Sequence, residues 1–440
     1  MVDVAALLLE GPLAASALQA RLNISQASLS RAVQQNRQIL KWGKARATRY
    51  ALLRPLRGES AIPLWRVSEQ GKAASAGTLH PVWPQGSFIF TDINQQAQFF
   101  SGLPWFLSDM RPQGFLGRAW GREHAGALGL NPDIRLWNDE QCLLALMQNG
   151  EDMPGDWLLG NAAYQRWLTQ PVPEPVAREN KADRYPEFAA QALAGEDIGS
   201  SAGGEQSKFS CYAETEQGAQ HCLVKFTPER DNENSQRWRD LLRAEHLALS
   251  VMRQHGLATA ESELIESQGQ LFLEIRRFDR MGSRGRRGMV SLEAVSAEFH
   301  GRQSHWPAAL SQLAEEKQID AESASRGTLQ WAFGRLIANS DMHAGNLSFF
   351  ISAVGFILTP AYDMLPMALA PNSQGYMRDN IALRLDLSLP RNVWLAASGM
   401  AKAYWQILSA DPKISSGFRE IARQASGQLQ ACDDILSQMA

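Results

Sequence analysis

A chain of 440 residues exceeds the roughly 100–200 residues of one ordinary domain, which sets two or three folding units as the expectation. The formal net charge of −3 is near neutral, and no run approaches the ~18–20 consecutive apolar residues of a membrane span. The start, Met1 to Glu10, has no basic stretch ahead of an apolar run, and Cys142, Cys211, Cys222 and Cys432 form no Cys-x-x-Cys pair. These features predict a cytoplasmic chain with reduced thiols and no membrane partner, and exclude a disulfide scaffold or a cysteine zinc site.

From Val4 to Leu53 the pattern predicts three short helices and a hairpin. Leu7, Leu8 and Leu9 close a first helix that Gly11-Pro12 breaks, and Leu13 to Leu22 repeats apolar residues at helical spacing. Asn23-Ile24-Ser25 is a turn, with Ser25 the N-cap of a helix from about Gln26 to Leu40. Leu29 and Val33 face inward there, which leaves Ser28, Ser30, Arg31, Gln34, Gln35, Asn36 and Arg37 outside. Such side chains bond base edges and phosphates. Lys41 to Leu52 alternates as a strand pair turning near Gly43 to Ala45, with Lys44 and Arg46 placed to lie along a nucleic-acid backbone. Between Arg21 and Arg54 stand Arg21, Arg31, Arg37, Lys41, Lys44, Arg46, Arg49 and Arg54, with no Asp or Glu. The segment, residues 1–55, therefore has the appearance of a basic winged helix-turn-helix, with DNA as the expected partner and a solvated basic helical domain as the alternative.

Pro55 to about Ser75 reads as a linker into mixed structure. The stretch to about Thr169 is rich in Trp, Gly and Pro, notably at Gly102 to Gly114 and Asn149 to Asp156, and predicts a turn-rich packed domain without a nucleophile and base. Pro171-Val172-Pro173-Glu174-Pro175, with the charged run Arg178 to Arg184 after it, reads as the linker to the second half.

The strongest chemical signal begins at Gly199 to Lys208, where glycines and hydroxyls precede the strand-like Phe209 to Ala213. Backbone N–H groups in such a loop approach phosphate oxygens. The loop lacks ordinary P-loop spacing, so its meaning depends on the residues downstream of it. His221 to Phe226 is a short apolar strand carrying Lys225, and Leu241 to His255 is a helix containing Glu245, a possible ion-pair partner. Leu271 to Arg280 has the form of an inner strand entering a loop, where a hinge binds adenine. Next come Asp341 and Asn346 in Ala338-Asn339-Ser340-Asp341-Met342-His343-Ala344-Gly345-Asn346, and then Asp363 in Ala361-Tyr362-Asp363-Met364. In kinases an Asp so placed accepts the acceptor hydroxyl's proton, while an Asn and a second Asp bind magnesium.

Ser-Ser-Ala-Gly-Gly-Glu-Gln-Ser-Lys at residues 200–208, Arg-Phe-Asp-Arg at 277–280, Asn339 to Asn346 and Thr359-Pro360-Ala361-Tyr362-Asp363 resemble the hallmark stretches of HipA-family kinases. The stretches at Leu103 to Gly114 and Asn149 to Gly155 resemble that family's N-terminal subdomain, so the likeness covers about Pro63 to the C-terminus. The added N-terminal segment suggests the YjjJ (HipH) branch. The resemblance implies an α+β fold: a bilobal HipA-like kinase over residues 185–440, a HipA-like N-terminal subdomain over 63–170, and the small winged helix-turn-helix ahead of them. It implies ATP and Mg²⁺ as cofactors. Gly203, Gly204, Glu205, Gln206, Ser207 and Lys208 would contact phosphates, Lys225 would pair them, and Arg276, Arg277 and Phe278 would form the hinge. Asp341 would be the catalytic base with His343 beside it, Asn346 and Asp363 would hold magnesium, and Tyr362 would border the nucleotide. Ser201, with Ser200 adjacent, would be the autophosphorylated serine of the loop. A translation component such as an aminoacyl-tRNA synthetase would be the substrate, and a HipB-like antitoxin a partner. Many members carry Lys where this chain has Gly345, and Glu where it has Arg276. Gly282 to Gly288 reads as a mobile basic loop.

Two other classes stay open on the residues alone. One is a transcription regulator whose kinase-like half only senses a nucleotide, which Gly345 favours and the intact Lys225, Asp341, Asn346 and Asp363 oppose. The other is a metal-dependent nuclease using the same carboxylates.

Overall fold

The computed structural model describes residues 3–194, 206–301, 303–372 and 374–438. The chain divides into two compact units, one of Met1–Gln113 with Trp120–Pro171, the other of Gly114–Ala119 with Val172–Ala440.

The first unit opens with helix α1 (Val4–Leu8), whose N–H groups are capped by Asp3, and the short strand β1 (Leu13–Ala14). Helix α2 (Ala15–Leu22) stops where Asn23 turns left-handed at φ 50°, and Ser25 Oγ accepts from Ser28 N to start α3 (Gln26–Gln34). Strands β2 (Ile39–Trp42) and β3 (Arg49–Leu52) follow, in a sheet ordered β1-β3-β2. Val4, Leu8, Leu18, Leu29, Ile39, Tyr50 and Leu52 form the core. Two expectations are corrected. Leu13 and Ala14 are a strand paired with Tyr50 and Arg49 rather than the start of a helix, and α3 ends at Gln34 instead of Leu40. Asn36 Oδ1 accepts from Gln38 N and turns the chain, after which Ile39 and Leu40 pair with Leu52 and Ala51. A β-branched residue beside a ready partner strand packs better there than in a frayed helix end.

The expected linker after Pro55 contains strand β4 (Ile62–Val67), which opens a five-stranded antiparallel sheet. Strands β5 (Ala73–Val82), β6 (Ser87–Asp92) and β7 (Ala97–Phe100) follow, then helices α4 (Gly114–Leu128) and α5 (Asp139–Asn149), strand β8 (Trp157–Leu159) and helix α6 (Gly160–Thr169). The sheet order is β7-β6-β5-β4-β8. Leu64, Leu79 and Phe88 from the sheet close on Leu143, Leu146 and Met147 of α5.

The segment before residue 55 shares a core with this sheet. Leu53 bridges Val82, Trp83 N donates to Leu52 O at 2.9 Å, and Leu40 and Trp42 pack with Val82 and Ile89. Arg54 forms an ion pair with Glu140, which is only 8% exposed and also accepts from Gly86 N at 3.2 Å. Removing the cation leaves that carboxylate buried with backbone and amide donors only. Arg54→Met is therefore expected to destabilise the first unit by about 3 kcal/mol, read from urea unfolding of the full chain.

In the second unit, Val176 pairs in parallel with Ala213, and the charged run expected as linker is helical, within and just before α7 (Lys181–Leu193). Its Lys181 is buried because Nζ lies 2.8 Å from Glu274, to which Tyr185 also donates. Strands β9 (Lys208–Thr215) and β10 (Gly218–Phe226) lead to helix α8 (Glu233–Gln254), then β11 (Ser262–Ser267) and β12 (Gln270–Arg276). These four strands form an antiparallel sheet ordered β11-β12-β10-β9. Helix α8 begins well before Leu241 because Asn232 caps it at Ser235 N, 2.8 Å away.

The Gly282 to Gly288 run is a hairpin of β13 (Arg280–Met281) and β14 (Gly285–Arg286), not a mobile loop. Arg280 and Arg286 are buried in it, Arg280 against Asp279 at 2.6 Å. Strand β15 (Met289–Ser291), helices α9 (Leu292–Phe299), α10 (Trp306–Glu315) and α11 (Ala321–Leu336), strands β16 (Ser348–Ser352) and β17 (Gly355–Leu358), and helices α12 (Arg391–Ala410) and α13 (Ser416–Gln438) complete a helical lobe. A small sheet ordered β15-β16-β17 lies within it. Helix α8 is fixed to this lobe: Asp240 accepts from Ser415 N at 2.9 Å, and Arg237 donates to Leu369 O and Arg378 O at 3.0 and 2.8 Å. No described helix is long and apolar enough to cross a membrane.

Candidate active site

Side chains alternate across a strand, so Lys225 shares a face with Leu273, its partner on β12. On that face its Nζ lies 2.6 and 2.8 Å from the two carboxylate oxygens of Glu245 on α8 and 2.5 Å from Asp363 Oδ1. Lys225 is 3% exposed and Glu245 fully buried. Burial opposes the ammonium, but the Asp363 and Glu245 carboxylates outweigh it and hold Lys225 above the ordinary lysine range. Burial likewise pushes Asp363 up, but Lys225 and Lys208 overcome it and keep the carboxyl below its usual range. Glu245 is pushed up by its burial, against the pull of Lys225.

Between α11 and β16 the chain forms the loop that carries Asp341. Asp341 N donates to Asn339 Oδ1 at 3.0 Å, and Asn346 Nδ2 donates to the Asp341 carbonyl at 2.8 Å, so the loop is tied across its mouth. The Asp341 carboxylate is about half exposed, and His343 Nε2 lies 3.9 Å from it. His343 Nδ1 accepts from Gly345 N at 3.1 Å, and Trp306 Nε1 donates to His343 O at 3.0 Å. A side chain at Gly345 would bring its Cβ within 2.8 Å of His343 Cε1, so the imidazole occupies the space that a residue such as Lys needs there. The Tyr362 hydroxyl lies 2.7 Å from Ser348 Oγ and donates to Gly345 O at 3.1 Å, and its ring stands 5.7 Å from that of Phe278.

The other expected residues are placed less uniformly. Gly203, Gly204, Glu205, Ser200 and Ser201 lie outside the described residues. Gln206 Nε2 donates to Phe226 O at 2.5 Å, bracing the strand that carries Lys225, while Ser207 O accepts from Phe226 N. Lys208 stands opposite Lys225 in register. Arg277 N donates to His221 O at 2.9 Å, which holds the segment after β12 against β10. The Arg276 side chain is on the other face of the sheet from Lys225, 3.4 Å from Glu261. In the first unit Ser30, Arg31 and Gln34 are exposed on α3, with Arg37 exposed just beyond it and Lys44 and Arg46 exposed between β2 and β3. Ser28 is half-buried, its Oγ 3.1 Å from Ser25 Oγ. The sequence reading gave no role to Asn339, whose Nδ2 donates to the Asp363 carbonyl at 3.1 Å.

The profile of the YjjJ-like toxin middle domain matches residues 58–168, and that of the HipA-like C-terminal domain matches residues 200–435. The toxin YjjJ of Escherichia coli K12 is 48% identical over 441 residues, covering all of both chains. The chain belongs to the HipA family, among the YjjJ-like toxins. A chain from the Shewanella oneidensis MR-1 complex of HipA, HipB and operator DNA superposes with a TM-score of 0.57 at 16% identity, over 86% of this chain and 98% of that one. At that identity the likeness speaks for the fold, a bilobal α+β HipA-like kinase.

A HipA-family kinase implies Mg²⁺, and the oxygens present fit that ion. Asp363 offers a carboxylate and Asn346, with Nδ2 committed to Asp341 O, offers Oδ1. The buried cation is also a stability element. Lys225→Met strands Glu245 and should cost about 3 kcal/mol. Adding Glu245→Leu should recover part of it, giving a coupling of about 2 kcal/mol in a double-mutant cycle read by urea unfolding.

Proposed function

We propose that this chain is an ATP- and Mg²⁺-dependent protein serine/threonine kinase of the HipA toxin type that also binds DNA through its N-terminal segment. The observation that carries the kinase reading is the meeting of Lys225, Glu245 and Asp363 beside the loop of Asp341 and Asn346. Glu245 holds Lys225 at the place where it pairs nucleotide phosphates. The backbone of Arg276, Arg277 and Phe278 borders the adenine. Asp341 orients the acceptor hydroxyl and takes its proton. Asn346 and Asp363 would hold magnesium, which offsets charge on the transferring phosphoryl group. Residues 203–208 would contact the phosphates, with Ser201, flanked by Ser200, as the self-limiting phosphorylation site.

Residues 1–55 are assigned as a winged helix-turn-helix, 63–170 as the HipA-like N-terminal subdomain and 185–440 as the kinase core. The sheet order β1-β3-β2 around α2 and α3, and the exposure of Ser30, Arg31, Gln34, Arg37, Lys44 and Arg46, support the first assignment. The DNA-binding part would stand in the same chain as the kinase, with operator DNA and a HipB-like antitoxin as expected partners and a translation component such as an aminoacyl-tRNA synthetase as substrate.

One observation favours a second reading. Gly345 leaves the loop without the side-chain cation that many relatives carry, and the His343 ring fills its place. A nucleotide-sensing DNA-binding regulator would need no such cation. Intact mass after incubation with Mg-ATP separates the two. The kinase adds a phosphate that Asp341→Asn and Ser201→Ala both abolish; ATP binding with no phosphate in any sample supports the regulator. For DNA, Arg31→Ala and Arg37→Ala should each weaken binding and lower the log–log salt slope by about 1, measured on the full chain.

A further inference from the structure

We infer that Asn339 is a positioning residue that sets the spacing between the catalytic Asp341 and the metal-holding Asp363, an inference that rests on the kinase reading above. Its amide is used at both ends. Oδ1 accepts from Asp341 N at 3.0 Å and Nδ2 donates to Asp363 O at 3.1 Å, so one buried side chain, 4% exposed, spans the two segments that carry the site. An ionised carboxylate can only accept, and a hydroxyl donates and accepts through a single atom; Asn presents a donor and an acceptor on two atoms of one rigid plane.

Asn339 is itself fixed from behind. Helix α11 ends with Ala338 left-handed at φ 58°, Ala338 N donating to Arg335 O at 3.3 Å and Asn339 N to Gly334 O at 2.9 Å. This is the paired hydrogen bonding of a Schellman helix end, and it delivers Asn339 to one position. Ala368 N also donates to Ala338 O at 3.1 Å. Across the bridge, Asp363 holds a left-handed φ of 52°, a conformation that few non-glycine residues adopt. Such a conformation persists only where surrounding bonds determine it. Two bonds act on Asp363 from opposite sides: Asn339 on its carbonyl and Lys225 on its carboxylate. Without the first, the backbone of Asp363 relaxes and its carboxylate leaves the place that Lys225 defines.

The test compares the full chain with Asn339→Ala and with Asn339→Leu, which keeps the buried volume. The first readout is a Mg²⁺ titration of the thermal stabilisation produced by a non-hydrolysable ATP analogue, which involves no turnover. The second is phosphotransfer at saturating Mg²⁺. The Mg²⁺ concentration giving half the stabilisation should rise about tenfold in both variants, and kcat should fall about 100-fold. A Mg²⁺ midpoint within about twofold of wild type overturns the inference, including when kcat falls in step with a lowered thermal midpoint, because that pattern marks mere structural damage. If Asn339→Ala does not fold, Asn339→Leu decides by the same criterion. A wild type that transfers no phosphate defeats the kinase reading, while the Mg²⁺ titration of nucleotide binding still decides the role of Asn339.

Discussion

Among the buried cations of the second unit, Lys225 is the one that joins the four-stranded sheet, α8 and the segment after β17. Lys225 is taken out of water by the sheet and is tolerable there only because Glu245 and Asp363 supply compensating charge at hydrogen-bond distance. That requirement reaches across elements. Helix α8 must stand where Glu245 meets β10, and the segment after β17 must bring Asp363 to the same point. The contacts of α8 with the helical lobe, through Arg237 and Asp240, serve the first condition. The second is met by the bridge that Asn339 makes to the Asp363 carbonyl. A strong charge in a dry place thus fixes the relation between the four-stranded sheet and the helices beneath it.

Much of this was legible in the chain because the chemistry is ordered. A lysine closing an apolar strand, a glutamate in the next helix, an Asp and Asn in one loop and a later Asp are residue types whose positions read directly from the sequence. The features that stayed hidden depend on contacts between distant segments. Lys181 looks like a solvated charge in a charged run, and only the fold supplies Glu274 to bury it. Arg286 likewise looks mobile in a glycine-rich stretch until pairing with Arg280 encloses it. Asn339 stood in plain view inside a recognisable motif, but nothing local announces that its side chain reaches Asp363.

The N-terminal errors have the same origin. Gln26 to Leu40 has helical spacing throughout, and local pattern cannot say that Ile39 and Leu40 have Leu52 and Ala51 as partners. Leu13 and Ala14 are too short a strand to carry a period of two. The hairpin itself was visible because Gly43 permits the positive φ of 75° that its turn needs.

The shared core between β3 and the five-stranded sheet changes what a lesion in the first unit means. Leu40 and Trp42 rest on Val82 and Ile89, so the hairpin beside α3 is packed on the five-stranded sheet as well as on its own core. The placement of α3 therefore depends on contacts beyond its own segment. A cavity opened beneath Ile89, far in sequence from every exposed arginine of the segment, would thus surface as weakened recognition, and an affinity screen would mistake it for a lost contact.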